Sequence, residues 1–220
     1  MKRQVWGILV LVLMAAPTPA GAVVLINEVL ADPAGDANGD GLVHSTQDEF
    51  VELVNTGSSP VTLNHWTLSD ALQVRHNFDA GAIIPAFGLL VIFGGGSPAD
   101  LLNAVIASAG TLALNNAGDT VTLRDADGAL SDLFTFGAAG GQDVSLTRFP
   151  DATGPFVLHT AANGDMFSPG LTVTGQSSLP HPEPEPSLPP PSGLPAIPEP
   201  SSFWLLGLGL SRWWISRSRA

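Results

Sequence analysis

The run Asp36-Ala37-Asn38-Gly39-Asp40-Gly41 sets three oxygen-bearing side chains at alternate positions and follows the last with a glycine. Carboxylate and carboxamide oxygens are hard donors that suit Ca²⁺, and glycine permits the sharp turn a chelating loop needs. The pattern is the opening of a D-x-[DN]-x-[DN]-G calcium loop, to which Leu42 would add its backbone carbonyl. A helix-flanked loop of that type carries a bidentate Glu at its twelfth position. Here that position is Gln47, and Asp48 and Glu49 follow it. The expected site is therefore a calcium loop between two strands. Its ligands are Asp36, Asn38, Asp40 and Leu42, it is closed by Asp48 or Glu49, and Asp32 stands by as an extra donor. A structural Ca²⁺ is the expected cofactor. The same residue types also form turns, so a metal-free Asp/Asn/Gly surface turn is the competing reading.

Little else in the chain suggests chemistry. The histidines are His44, His65, His76, His159 and His181, and none belongs to an H-E-x-x-H or H-x-H pair. His44 is within reach of the calcium loop, and the others are expected on the surface, at a rim or in a linker. No G-x-S-x-G elbow, P-loop or dinucleotide fingerprint occurs. Asp and Glu total 20 against 8 Lys and Arg, for a formal charge of -12. The only basic residues away from the chain ends are Arg75, Arg124 and Arg148, too few to neutralise a run of phosphates, so nucleic acid is excluded as a partner. Abundant carboxylates leave one enzymatic alternative, a small polysaccharide hydrolase using an Asp/Glu pair. A sandwich of one-domain size with short loops offers that chemistry little room for a cleft. The expectation is a non-catalytic module.

The elements that hold the loop are strands. With 24 Gly and 19 Pro the chain turns often, and apolar alternation recurs in short stretches. Val23–Leu30 is apolar around Asn27 and Glu28, and Glu49–Asn55 is apolar around Glu52. Val61–Leu63 and Trp66–Leu68 form the next pair. Gly88–Phe93 has no polar face, as a buried strand would. Ala99–Ile106 reads as a helical turn or two. Thr111–Leu114, Thr120–Arg124, Leu130–Phe136, Val144–Phe149 and Phe156–His159 complete eight or nine strands. Asn115-Asn116-Ala117-Gly118-Asp119 and Asp125-Ala126-Asp127-Gly128 are turn sequences of hairpin grade. The fold class is all-β, an antiparallel β-sandwich over residues 23–174. Trp66 is expected in its core beside Phe50 or Phe93, with a sugar-stacking role as the alternative. Cysteine is absent, so packing and a metal, not disulfides, hold the domain.

The two ends read as addresses. Lys2 and Arg3 precede the apolar run Val5–Ala16, and Ala20-Gly21-Ala22 closes it with an A-x-A site. Residues 1–22 are thus expected to be a signal peptide, cut after Ala22 by signal peptidase, since the run is shorter than the ~20 residues that span a bilayer. Residues 175–196 are Pro-rich and should form an extended stalk. Residues 197–220 carry Pro198-Glu199-Pro200, the apolar Phe203–Leu210 with Trp213, Trp214 and Ile215, and then Arg217 and Arg219. This tail resembles a PEP-CTERM sorting signal, carried by Pro198, Glu199 and Pro200 and the Arg-rich terminus. The resemblance implies an exosortase as processing partner and a Gram-negative envelope, outer surface or extracellular matrix as the destination. Arg212 interrupts the apolar stretch and leaves it short of a ~30 Å hydrocarbon core, so membrane anchoring by the tail is weak or transient.

Within the sandwich an ordered series of segments resembles a lamin tail domain. The series is Leu25-Ile26-Asn27-Glu28-Val29, Glu49–Gly57, Val61–Asp70, Leu114–Leu123 and Ser145–Arg148. His65 stands where that family usually has glycine before the Trp. The resemblance implies an immunoglobulin-like β-sandwich without catalytic residues. In bacteria it implies a surface-adhesion or accessory module, with exopolysaccharide or other surface proteins as partners.

Overall fold

The computed structural model describes residues 24–98 and 103–181. Among them the strands are β1 (Val24–Leu30), β2 (Phe50–Asn55), β3 (Val61–Thr62), β4 (Thr67–Ser69), β5 (Val74–Asn77) and β6 (Ile83–Ile84). They continue with β7 (Leu89–Phe93), β8 (Ala104–Ile106), β9 (Asp119–Arg124), β10 (Leu130–Phe136), β11 (Leu146–Arg148) and β12 (Phe156–Leu158), and one helical turn, α1 (His159–Ala162), follows. A six-stranded sheet runs β12-β11-β1-β2-β7-β8, a four-stranded sheet runs β10-β9-β4-β5, and β3 pairs with β6. All pairings are antiparallel except β7 with β8. No helix among the described residues is long and apolar enough to cross a membrane.

Side-chain alternation assigns the faces. On one face of the six-stranded sheet, Val24, Ile26, Val29, Val51, Leu53, Leu90 and Ile92 meet Leu68, Val121, Leu123 and Phe136 from the four-stranded sheet. This is the main core, and each fully buried aliphatic in it contributes about 1.5–3 kcal/mol of transfer free energy. The opposite face carries two smaller apolar clusters, one around Leu30, Phe50, Val91 and Phe93, the other around Val54 and Leu89. A β-bulge in β1 falls between Ile26 and Glu28. It sends both Asn27 and Glu28 to that opposite face, where residues after β11 cover them.

Several expectations change. Trp66 packs half-buried against the main core, while Phe50 and Phe93 lie in the cluster across the sheet, so Trp66 has neither as a neighbour. The stretch Thr111–Leu114 is no strand. Leu112 and Leu114 are buried, but Ala113 takes φ 48° in the left-handed region, which breaks extended pairing. Residues 104–106 form a strand rather than helix, and residues 99–102 lie outside the described residues. β5 and β6 had no counterpart in the sequence reading. The chain stays bound past 175, the expected start of the stalk. Ser178 bridges Gly88, the Leu179 amide donates to the Phe87 carbonyl at 2.7 Å, and His181 packs edge-on against Phe87. Residues 1–22 and Pro198, Glu199 and Pro200 lie outside the described residues.

Candidate functional site

The loop between β1 and β2 brings four of the six expected ligands together. Asp36 accepts the Asp40 amide at Oδ1 (3.1 Å) and the Gly41 amide at Oδ2 (2.8 Å). Asn38 Oδ1 accepts the Asp40 amide at 2.9 Å, and Asp40 Oδ1 accepts the Leu42 amide at 3.0 Å. Asp48 closes the loop from its far end, accepting the Asn38 amide at 3.0 Å and the His44 amide at 2.6 Å. The turn Gly94–Ser97 after β7 seats the other side. There the Asn38 amide group donates to the Gly95 carbonyl at 3.3 Å, and the Ser97 amide donates to Asp40 Oδ2 at 3.2 Å. Asn38 and Asp48 are fully buried. Leu42 follows with its amide tied to Asp40 and its side chain in solvent.

Glu49 does not join them. Neighbouring residues of an extended chain point to opposite faces, so with Asp48 in the loop Glu49 turns into the main core side. Its Oε2 accepts the Leu114 amide at 3.4 Å. Burial pushes the Glu49 carboxyl up to about 8, against the pull of the Leu114 and Ala113 amides. Asp32 is also occupied elsewhere, accepting from Asn116 Nδ2 at 2.6 Å. His44 caps its own turn, its Nδ1 accepting the Thr46 amide at 3.2 Å. The loop's donors are all oxygen, the chemistry Ca²⁺ prefers, and a carboxylate that accepts one N–H per oxygen keeps lone pairs for a cation. Among the described residues, no three His, Cys, Asp or Glu side chains already stand as a metal-holding group.

A second polar constellation, missed in the sequence, lies under residues 145–179. Glu28 and Glu52 are register partners on β1 and β2, and neither exposes any surface. Glu28 accepts from Ser145 Oγ at 2.6 Å, from the Ser168 amide at 3.0 Å and from Ser168 Oγ at 2.9 Å. His159 Nε2 lies 2.8 Å from Ser168 Oγ and 3.9 Å from Glu28 Oε2. Glu52 accepts from Asn27 Nδ2 at 2.9 Å and from the Gly170 amide at 2.7 Å. Burial raises the affinity of Glu28 for its proton, opposed by His159 and the serines. Burial raises Glu52 well above the ordinary carboxylate range, and the neighbouring Glu28 charge adds to it. The signal for this pair was Asn27, Glu28 and Glu52 inside otherwise apolar strands. His159 and His76 are buried, contrary to the expectation of surface or rim positions. His76 Nδ1 accepts the Ser108 amide at 3.1 Å, and its ring stands edge-on to Phe78.

Three surface concavities among the described residues offer no comparable chemistry. A cleft of about 340 Å³ is lined by Pro85, Gly88, Asn103 and Ser178 without a carboxylate. Two others, beside Asp70 and beside Asp151, each hold one. None of the three carries the facing carboxylate pair of a glycoside hydrolase.

The decisive comparison concerns the sandwich itself: the family model described as Lamin Tail Domain matches residues 17–138. The chain belongs to the lamin tail domain family. Its fold is the immunoglobulin-like β-sandwich of that family, a binding or structural module and not a known enzyme family. A search of the curated proteins matched none to this chain. The matched stretch of the lamin tail domain contains the Asp36–Asp48 loop, Glu28 and Glu52, and it ends before β11, so the residues that cover the carboxylate pair lie beyond it. His65, at the position where glycine was expected, takes φ 64°, a left-handed conformation that glycine adopts without strain.

Proposed function

We propose that this lamin tail domain protein is an exported, non-catalytic binding or structural module of the cell surface or extracellular matrix. The observation that carries the reading is where the domain's carboxylates go. Asp36, Asp40 and Asp48 gather in one oxygen-rich loop, Glu28 and Glu52 lie sealed beneath residues 145–179, and among the described residues none of the three concavities sets two carboxylates face to face. Binding modules of this build work through sheet faces and loops, with exopolysaccharide or other surface proteins as partners. The ends supply the address. Ala20 and Ala22 mark the signal peptidase site, and Pro198, Glu199 and Pro200 mark the site where an exosortase acts, with the apolar tail engaging the membrane during sorting.

Calcium completes the proposal as a structural ion. Asp36, Asn38 and Asp40 hold it by side chain, Leu42 by its carbonyl, and Asp48 closes the set. The hydrogen bonds that tie Asp36, Asn38, Asp40 and Asp48 into one turn support the reading, and Glu49 leaves the set because it faces the core.

Intact mass and terminal sequencing of the protein from its native envelope test the export claim. A chain running from Val23 to the neighbourhood of Pro200 supports sorting at both ends, and retention of residues 203–220 replaces exosortase processing with simple tethering. Retention of the purified domain on polysaccharide beads tests binding. Release of sugar from those beads by the domain would instead favour the hydrolase.

A further inference from the structure

The cover over Glu28 and Glu52 is held in an unusual way. Residues 159–179 contribute few apolar side chains to the sheet face they lie on, chiefly Phe167 and Leu179, with Val173 buried between them. Between those two anchors, Val173 apart, the attachment is polar. The Ser168 and Gly170 amides and the Ser168 hydroxyl all donate to the two buried carboxylates. The Val173 amide lies 3.2 Å from Asp151 Oδ2.

The proton count of this network is constrained. His159 Nδ1 lies 3.1 Å from the Asp165 carbonyl, which can only accept, so Nδ1 carries a hydrogen. The Ser168 hydroxyl has one hydrogen to give. With that hydrogen shared between His159 and Glu28, and not given to the Leu171 carbonyl 3.0 Å away, it links the two in one of two ways. Neutral His159 accepts from Ser168 while a protonated Glu28 donates to Ser168, or protonated His159 donates to Ser168, which donates to ionised Glu28. Both patterns hold the same number of protons and are neutral overall. The His159–Ser168–Glu28 chain thus compensates one carboxyl of the pair and leaves Glu52 uncompensated. The titratable groups facing the pair are His159 from α1, beside Glu28, and Asp151 from the loop after β11, beside Glu52. Among the described residues no Lys or Arg side chain bonds to either carboxylate.

We propose that residues 159–179 form a proton-held strap, closed over the six-stranded sheet while Glu52 keeps its proton and released when Glu52 ionises beside Asp151 with no cation of its own. The direction follows from linkage. Both carboxyls bind a proton more tightly in the closed state than in the open, solvated one. Closure is therefore strongest below the ordinary carboxylate range and weakens as pH rises toward the closed-state values. Each unit of separation between closed and open values changes the closed-to-open ratio about tenfold.

Hydrogen exchange by mass spectrometry on the whole protein, from about pH 6 to about pH 10 and corrected for the intrinsic base-catalysed rate, tests this. A parallel carbon-13 titration of the Glu carboxyls reads the proton. Peptides over residues 159–179 should lose at least about tenfold protection relative to those over β9 and β10, with the midpoint at which the Glu52 carboxyl ionises. Glu52→Gln should abolish that pH-dependent step. If Glu52 ionises without loss of strap protection, or is already ionised at the lowest pH, the proposal is wrong. Loss of protection across strap and sandwich together also overturns it. Should the variant fail to fold, the two wild-type titrations decide alone.

Discussion

The guanidinium carbon of Arg148 lies 4.6 Å from the centre of the Phe156 ring, and that ring stacks on Phe134 at 3.5 Å. The same guanidinium donates to the Ile26 carbonyl at 2.8 Å and the Gly154 carbonyl at 3.2 Å, and pairs with Asp132 at 3.2 Å. One side chain thus joins β11, β1, β10 and the loop before β12. Lysine keeps the charge but lacks the planar fork. Arg148→Lys should lower unfolding free energy by about 2 kcal/mol, read from urea unfolding, because at least one buried carbonyl is left without its donor.

Gly96 tests how tightly the oxygen-rich loop is seated. Its φ is 78°, and an added Cβ would stand 2.2 Å from Asn38 Nδ2 and 2.6 Å from Asp40 Oδ2. Gly110 has nearly the same φ, 77°, with open space around it. Gly96→Ala should destabilise by about 1–3 kcal/mol more than Gly110→Ala in denaturant melts, since only the first combines backbone strain with displacement of the loop.

Calcium should act through the same loop. The wild-type melting temperature in millimolar calcium should exceed that in chelator, and Asp36→Ala with Asp40→Ala should erase the difference. The comparison is made within each protein, because the two substitutions also remove N–H acceptors and lower stability in either medium. An equal calcium response in both proteins ends the metal reading.

Acid should weaken the four-stranded sheet. Burial alone would raise Asp70, yet hydrogen bonds from Arg75 and from the Gln73 and Leu72 amides outweigh it and hold its pKa below the ordinary value. The stability Asp70 contributes is therefore present above that ordinary value and lost as pH falls through the lowered one. Asp70→Asn should be less stable than wild type at neutral pH, with the gap narrowing in urea melts at progressively lower pH.

Much of the sandwich was legible because alternation marks a strand whose one face meets a core. Phe50, Val51, Leu53 and Val54 around Glu52 gave β2, and the Asn115–Asp119 and Asp125–Gly128 turns gave the ends of β9. β5 was not legible, since Val74-Arg75-His76-Asn77 buries an arginine through an ion pair with Asp70 and a histidine through the Ser108 amide. The loop's ligand types were readable from local spacing, but Glu49's departure from it was set by the face it occupies. Glu28 and Glu52 showed in the sequence only as polar residues inside otherwise apolar strands. Their burial comes from residues more than a hundred positions later, and no local pattern announces a contact of that range.

The bulge at Asn27 and Glu28 makes β1 a strand with two parities. Its core-facing residues are even-numbered up to Ile26 and odd-numbered from Val29 onward. A single-residue deletion at Leu25 or Leu30 would turn one end of the strand inside out. A deletion at Asn27 or Glu28 would merely restore regular alternation. The strand therefore tolerates shortening only at the one place where it holds two polar side chains abreast. Length variation in β1 would register first as loss of the polar attachment beneath residues 159–179, with the sandwich itself intact.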